Sequence, residues 1–129
     1  MDWVAAVVLL ALIEYCVFSA LVGRARNRYS VAAPAVGGHP IFERYFRVHQ
    51  NTLEQLIVFI PAVWLFGLYL SARGAAILGL VFLLARILYA AGYLRAPDKR
   101  GPGAGLSFLT QIVLVLGAAY GVLRSLISA

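Results

Sequence analysis

Residues 75–93 read AAILGLVFLLARILYAAGY, with a single charge, Arg86, and no proline. About 20 apolar residues in a helix rise roughly 30 Å, the thickness of a bilayer's hydrocarbon core. The stretch therefore reads as a membrane-spanning helix. It also places Arg86, Tyr89 and Tyr93 at i, i+3 and i+7, which is one helical face. A charge at mid-bilayer costs about 2.5–3.5 kcal/mol on insertion scales. Arg86 must therefore find polar company or lie near the headgroups.

Three further stretches meet the same requirement: Trp3 to Val22, Thr52 to Leu70 and Leu106 to Leu126. Over the 129 residues, 63% are hydrophobic and 12% charged. A soluble domain carries roughly 25% charged residues. The expected fold class is all-α, an integral membrane four-helix bundle forming one transmembrane domain over residues 1–129. The first span is flanked by Met1-Asp2, an acid rather than a base, and runs long, so it reads as a span and not as a cleavable signal peptide. Cys16 is the only cysteine and forms no internal disulfide.

The connections carry the turn formers. Ser71 to Gly74 joins the second and third spans as a tight hairpin, with Gly74 as the helix stop. Pro34, Gly37, Gly38 and Pro40 exclude a continuous helix in the first loop. Pro97, Gly101, Pro102, Gly103 and Gly105 mark the third connection as loop. Pro61 is expected to kink the second span. Gly117 and Gly121 form a GxxxG in the fourth span, a pattern that permits close helix contact.

Charge gives orientation. Arg24, Arg26, Arg28, Arg44, Arg47, Arg95, Lys99 and Arg100 lie at one side of the spans, against Arg73 and Arg124 at the other. That bias puts the two basic loops in the cytoplasm and both termini outside it. The net charge of +6 is held in short loops between apolar runs, which points to anionic headgroups or an anionic ligand and not to nucleic acid.

A second polar stripe lies at the entry of the second span. Arg47, Asn51 and Glu54 fall at i, i+4 and i+7. Snorkelling to the interface accounts for Arg47 but not for Glu54, which points deeper. Two readings of Glu54 stand side by side: a structural ion pair with Arg86, and a ligand site. A molecule bearing an amine and carboxylates would suit a stripe of Arg, Asn and Glu facing one of Arg and Tyr. Arg100 lies seven positions beyond Tyr93 and extends that stripe if the helix continues. Glu14, within the first span, reads as a helix–helix hydrogen bond. His39 and His49 stand without a cluster of Cys or carboxylates, so no metal site is expected. The glycines of the third connection lack the preceding strand and the Gly-Lys-Ser/Thr of a phosphate loop.

The stretch Pro34-Ala35-Val36, Pro40, Phe42-Glu43-Arg44, Arg47, Asn51 and Glu54, followed by Ala85-Arg86, Tyr89, Gly92-Tyr93 and Arg100, resembles a known pattern. It is similar to the MAPEG family, the membrane-associated proteins in eicosanoid and glutathione metabolism. The likeness is greatest to the leukotriene-C synthase and microsomal glutathione transferase branch. It runs from the first span to the fourth.

The resemblance implies a homotrimer in a bacterial inner membrane or an equivalent membrane, with glutathione bound between subunits near the cytoplasmic face. It implies that Arg26, Arg47, Asn51, Glu54, Arg86, Tyr89 and Tyr93 hold glutathione, and that Arg100 activates its thiol. His49 stands where the family commonly has a glutamine and is taken with the glutathione set. Gln55 replaces a tyrosine usual after the glutamate, and Asn27 replaces a second arginine usual after Arg26. The implied activity is conjugation of the glutathione thiolate to a lipophilic electrophile arriving from the lipid phase. A glutathione-dependent peroxidase and a non-catalytic lipid-binding member are the alternatives on the same fold.

Overall fold

Each apolar stretch forms a helix longer than the bilayer requires. A computed structural model describes Met1–Ala129. Helix α1 spans Asp2–Tyr29, α2 Pro40–Tyr69 and α3 Ala72–Arg95. A short 3₁₀ turn, Pro97–Arg100, leads directly into α4, Gly101–Ser128. There are no strands. Helices of 24 to 30 residues are about 36–45 Å long, so their ends project beyond the hydrocarbon core. Hydropathy marks only the part inside lipid. This is why the predicted second span begins at Thr52 whereas the helix begins at Pro40.

Caps set these boundaries. Pro40 occupies the first helical position of α2, where no N–H is needed, and His39 Nδ1 accepts from the backbone N–H of Ile41 at 3.1 Å. Ser71 Oγ accepts from the N–H of Gly74 at 2.9 Å and so starts α3. Gly74 is thus inside the first turn of α3 and is not the stop of α2. At the other end of α3, Arg44 Nη1 donates to the carbonyls of Leu94 and Arg95 at 3.3 and 3.2 Å. It satisfies carbonyls that the helix end leaves open. Helix α2 continues unbroken through Pro61.

The third connection is more ordered than its composition predicts. Its glycines serve close approach rather than flexibility. A Cβ on Gly103 would strike the backbone of Tyr89, and one on Gly92 would strike the carbonyl of Lys99. These two contacts fold the 3₁₀ turn back over the end of α3 and seat the start of α4 against it.

The core lies between the helices, with Phe59 of α2 stacked on Phe82 of α3 at 3.9 Å between ring centroids. The GxxxG glycines pack within the chain: Gly117 faces the Phe66 ring and Gly121 the carbonyl of Tyr69, both of α2. Large apolar side chains such as Leu10, Ile57, Leu84, Phe108 and Leu116 point outward from all four helices. That outer surface suits lipid as its solvent. With four helices long and apolar enough to cross a bilayer, this is a multi-pass integral membrane protein.

Candidate functional site

The two polar stripes meet. Arg47, Gln50, Asn51 and Glu54 of α2, Tyr89 and Tyr93 of α3, and Arg100 of the 3₁₀ turn line one cavity of about 300 Å³. It sits at the end of the bundle that carries the basic loops. Helical spacing aligns the α2 residues, since 47, 50/51 and 54 are one turn apart. On α3, Tyr89 and Tyr93 are also one turn apart, with ring centroids 5.7 Å from each other.

Arg100 arrives by a different route from the one its spacing implies. Helix α3 ends at Arg95, so Arg100 is not on a continued stripe. The 3₁₀ turn carries it back instead, leaving its guanidinium carbon 5.9 Å from the Tyr93 ring centroid. Its Nη1 donates to the carbonyl of Pro97 at 2.7 Å, which ties the side chain to its own turn.

Arg86 lies beneath this cavity and does not line it. It is only 1% exposed. Its Nη2 donates to Asn51 Oδ1 at 2.6 Å and to Thr52 Oγ1 at 2.9 Å, and its Nη1 reaches Ser107 Oγ at 3.4 Å. Its guanidinium carbon is 4.3 Å from the Tyr89 ring centroid, a cation–π distance. Glu54 is not among its hydrogen-bond partners, so the ion-pair reading of Glu54 gives way to a carboxylate facing the cavity.

Two sequence candidates lie elsewhere. Arg26 Nη1 donates to the carbonyl of Ala35 at 2.6 Å and its guanidinium sits 5.0 Å from the Phe42 ring centroid. It lines a separate cavity of about 350 Å³ with Asn27, Ser30 and the start of the first loop. His49 stacks on Tyr15 of α1 at 4.7 Å between centroids, and neither ring nitrogen has a hydrogen-bond partner. Gln55 turns away from the cavity to accept a hydrogen bond from Gln111 of α4. Glu14 makes no side-chain hydrogen bond, contrary to expectation.

Three residues went unread in the sequence. Gln50 could have been found, because it lies three after Arg47 and four before Glu54. Thr52 and Ser107 gave no signal. They are single hydroxyls in apolar runs, and both serve Arg86.

The cavity's chemistry is defined. Two guanidiniums, two phenols and two amides offer donors around one carboxylate acceptor. Comparison with known proteins gives this arrangement a context. The MAPEG family model matches residues 4–120. The chain belongs to the MAPEG family. That match includes every residue lining the cavity, from Arg47 to Arg100. The MAPEG chain is 41% identical to human microsomal glutathione S-transferase 2 over 121 residues, 94% of this chain and 82% of that protein. It is 34% identical to bovine leukotriene C4 synthase over 125 residues, 97% of this chain and 83% of that protein. A Synechocystis protein is 48% identical over 124 residues, 96% of this chain and 90% of its own length.

Proposed function

We propose that this MAPEG member is a membrane glutathione transferase, which holds glutathione in the α2–α3 cavity and conjugates its thiolate to a lipophilic electrophile. One observation carries the reading: the cavity sets two arginines and a ring of neutral donors around a single carboxylate. Glutathione presents the complementary set, two carboxylates, one ammonium and a thiol. In this reading Arg47 pairs with a carboxylate and Glu54 accepts the ammonium. Asn51, Tyr89 and Tyr93 donate to the remaining oxygens. A volume of about 300 Å³ is at the low end for a small-molecule pocket.

Arg100 is the thiol-activating residue in this proposal. A free thiol has a pKa of about 8.5, so only a few per cent is ionised at pH 7. A guanidinium beside the sulfur stabilises the charged form. Lowering the pKa by about two units corresponds to roughly 2.7 kcal/mol and makes the thiolate the major species. The sulfur then attacks the electrophilic carbon, forming a C–S bond as the leaving group departs or the adjacent double bond takes a proton. No protein nucleophile is needed, and Cys16, exposed on α1 and absent from the cavity lining, takes no part.

A homotrimer fits the placement of Glu54 and Arg26. Glu54 is exposed on the single chain, at the flank of α2 beside the exposed Leu53 and Ile57. A carboxylate there is better covered by protein than by lipid. Arg26 is remote from its own chain's cavity. In the trimer of this proposal a neighbouring subunit brings its Arg26 to this cavity, where the added positive charge offsets the anionic charge of bound glutathione. In this reading the basic loops face the cytoplasm, so the site opens there and both termini lie across the membrane.

The test is direct. Protein purified in detergent should bind glutathione, develop thiolate absorbance and conjugate an aromatic halide. Absence of binding at millimolar glutathione would remove the proposal. Turnover of a lipid hydroperoxide, with no conjugate formed, would replace transfer by the peroxidase alternative on the same thiolate.

A further inference from the structure

We propose that Arg86 is a positioning residue, which fixes the side chain of Asn51 so that its amide N–H groups, and not its oxygen, face the cavity. This rests on the glutathione reading of that cavity. It differs in assigning Arg86 no contact with the ligand.

The chemistry of the pair fixes the amide. Arginine carries only donors. The end of the Asn51 amide that meets Arg86 must therefore be the oxygen, because the Nδ2 group can only donate. With Oδ1 held by Nη2 at 2.6 Å, the Nδ2 group is turned to the cavity that Asn51 lines. The same Nη2 holds Thr52 Oγ1 at 2.9 Å, and Nη1 reaches Ser107 Oγ at 3.4 Å. Ser107 Oγ in turn donates to the carbonyl of Gly103 at 2.8 Å. One guanidinium on α3 thus ties α2 to the start of α4 under the cavity floor.

Burial excludes the alternative role. Arg86 is 1% exposed, its Nε is buried without an acceptor, and it is absent from the cavity lining. The Tyr89 ring lies against the guanidinium, its centroid 4.3 Å away. A second consequence follows for ligand class. Glu54 is the cavity's one carboxylate, and with its oxygen occupied Asn51 adds a donor beside Arg47 and Arg100. The floor thereby selects an acceptor-rich anion.

Substitutions at position 51 separate orientation from packing. Asn51→Asp keeps an oxygen for Arg86 but turns a second oxygen, with charge, toward the cavity. Without glutathione its melting temperature in detergent should equal or exceed that of the wild type. Its glutathione affinity should fall at least tenfold. Wild-type affinity in Asn51→Asp would overturn the proposed amide orientation.

A double-mutant cycle tests the role of Arg86. Arg86→Gln should weaken glutathione binding at least tenfold alone, but less than twofold in an Asn51→Ala background. Equal losses in both backgrounds would mean that Arg86 touches the ligand itself. Where Arg86→Gln does not fold, Arg86→Lys replaces it, retaining the charge without the fork. Melting temperatures of the same four proteins, taken without ligand, report the Arg86–Asn51 coupling independently. Additive shifts there would contradict the hold on Asn51. A wild type that binds no glutathione would remove the transferase reading, while the ligand-free cycle would still decide whether Arg86 fixes Asn51.

Discussion

The two ends of the bundle use the same packing device for different purposes. At the apolar end, Gly117 and Gly121 let α4 approach Phe66 and the carbonyl of Tyr69. At the basic end, Gly103 lets α4 approach Tyr89, and Gly92 lets Lys99 of the 3₁₀ turn approach α3. Each glycine admits a neighbour where a side chain would not fit, the Phe66 ring at Gly117 and backbone at the other three. The first pair closes a seam whose one polar contact is Arg124 Nη2 on the Tyr69 carbonyl at 3.4 Å, and it lines no polar cavity. The second carries Arg100 to Tyr93 and Ser107 to Arg86. Close packing at one end therefore holds the fold, and at the other it also builds a site.

Substitutions should divide along that line. The largest effect is expected from Gly103→Val. The added carbons would meet the Tyr89 backbone, which cannot move as a flexible side chain would. Overpacking of this kind costs up to about 3 kcal/mol, so both the melting temperature and glutathione binding should fall. A variant that binds glutathione normally would show that the floor does not depend on this contact.

Arg100→Ala should come next. Loss of an electrostatic stabiliser at the reacting atom lowers rates about 10²–10³-fold. Conjugation should drop by that order while the melting temperature stays near that of the wild type. Unchanged turnover would move thiol activation to another arginine, with Arg26 the first to test.

Glu54→Gln removes the acceptor for an ammonium. Glutathione affinity should fall about tenfold, corresponding to roughly 1.4 kcal/mol. An analogue lacking the α-amino group should bind both proteins alike. If it also loses tenfold, Glu54 is not the ammonium anchor.

Gly121→Ala should have the smallest functional effect. Its new methyl group would press on the Tyr69 carbonyl, a strain of about 1–3 kcal/mol. The melting temperature should fall, yet turnover per folded molecule should hold. Loss of turnover with stability intact would erase the distinction between the ends.

Much of this was legible in the sequence because periodicity and burial speak together. Arg47, Asn51 and Glu54 fall on one face of an uninterrupted helix, and they line one cavity. Tyr89 and Tyr93 follow for the same reason. Spacing puts Arg100 near them on a continued helix, but a proline intervenes and the route is a 3₁₀ turn. Composition misled at residues 97–105, where glycine and proline signalled a loop. There proline starts helical segments, and Gly103 answers a steric need set by Tyr89, a partner distant in sequence. Arg26 and His49 show what one chain does not bring to its own cavity. Each occupies its expected helix, but their side chains are engaged by Ala35 and Tyr15, not by the cavity. Depth also decided Arg86. Spacing gives its face, but only packing shows that Tyr89 and Asn51 lie between it and the opening.

The most direct measurement is a glutathione titration of the detergent-purified protein, followed by thiolate absorbance, with wild type and Arg100→Ala side by side. The expected result is saturable binding in both, with thiolate at neutral pH in the wild type and its loss in the variant. Saturable binding with no thiolate in either protein would contradict Arg100 as thiol activator, and no binding in the wild type would contradict the glutathione site itself.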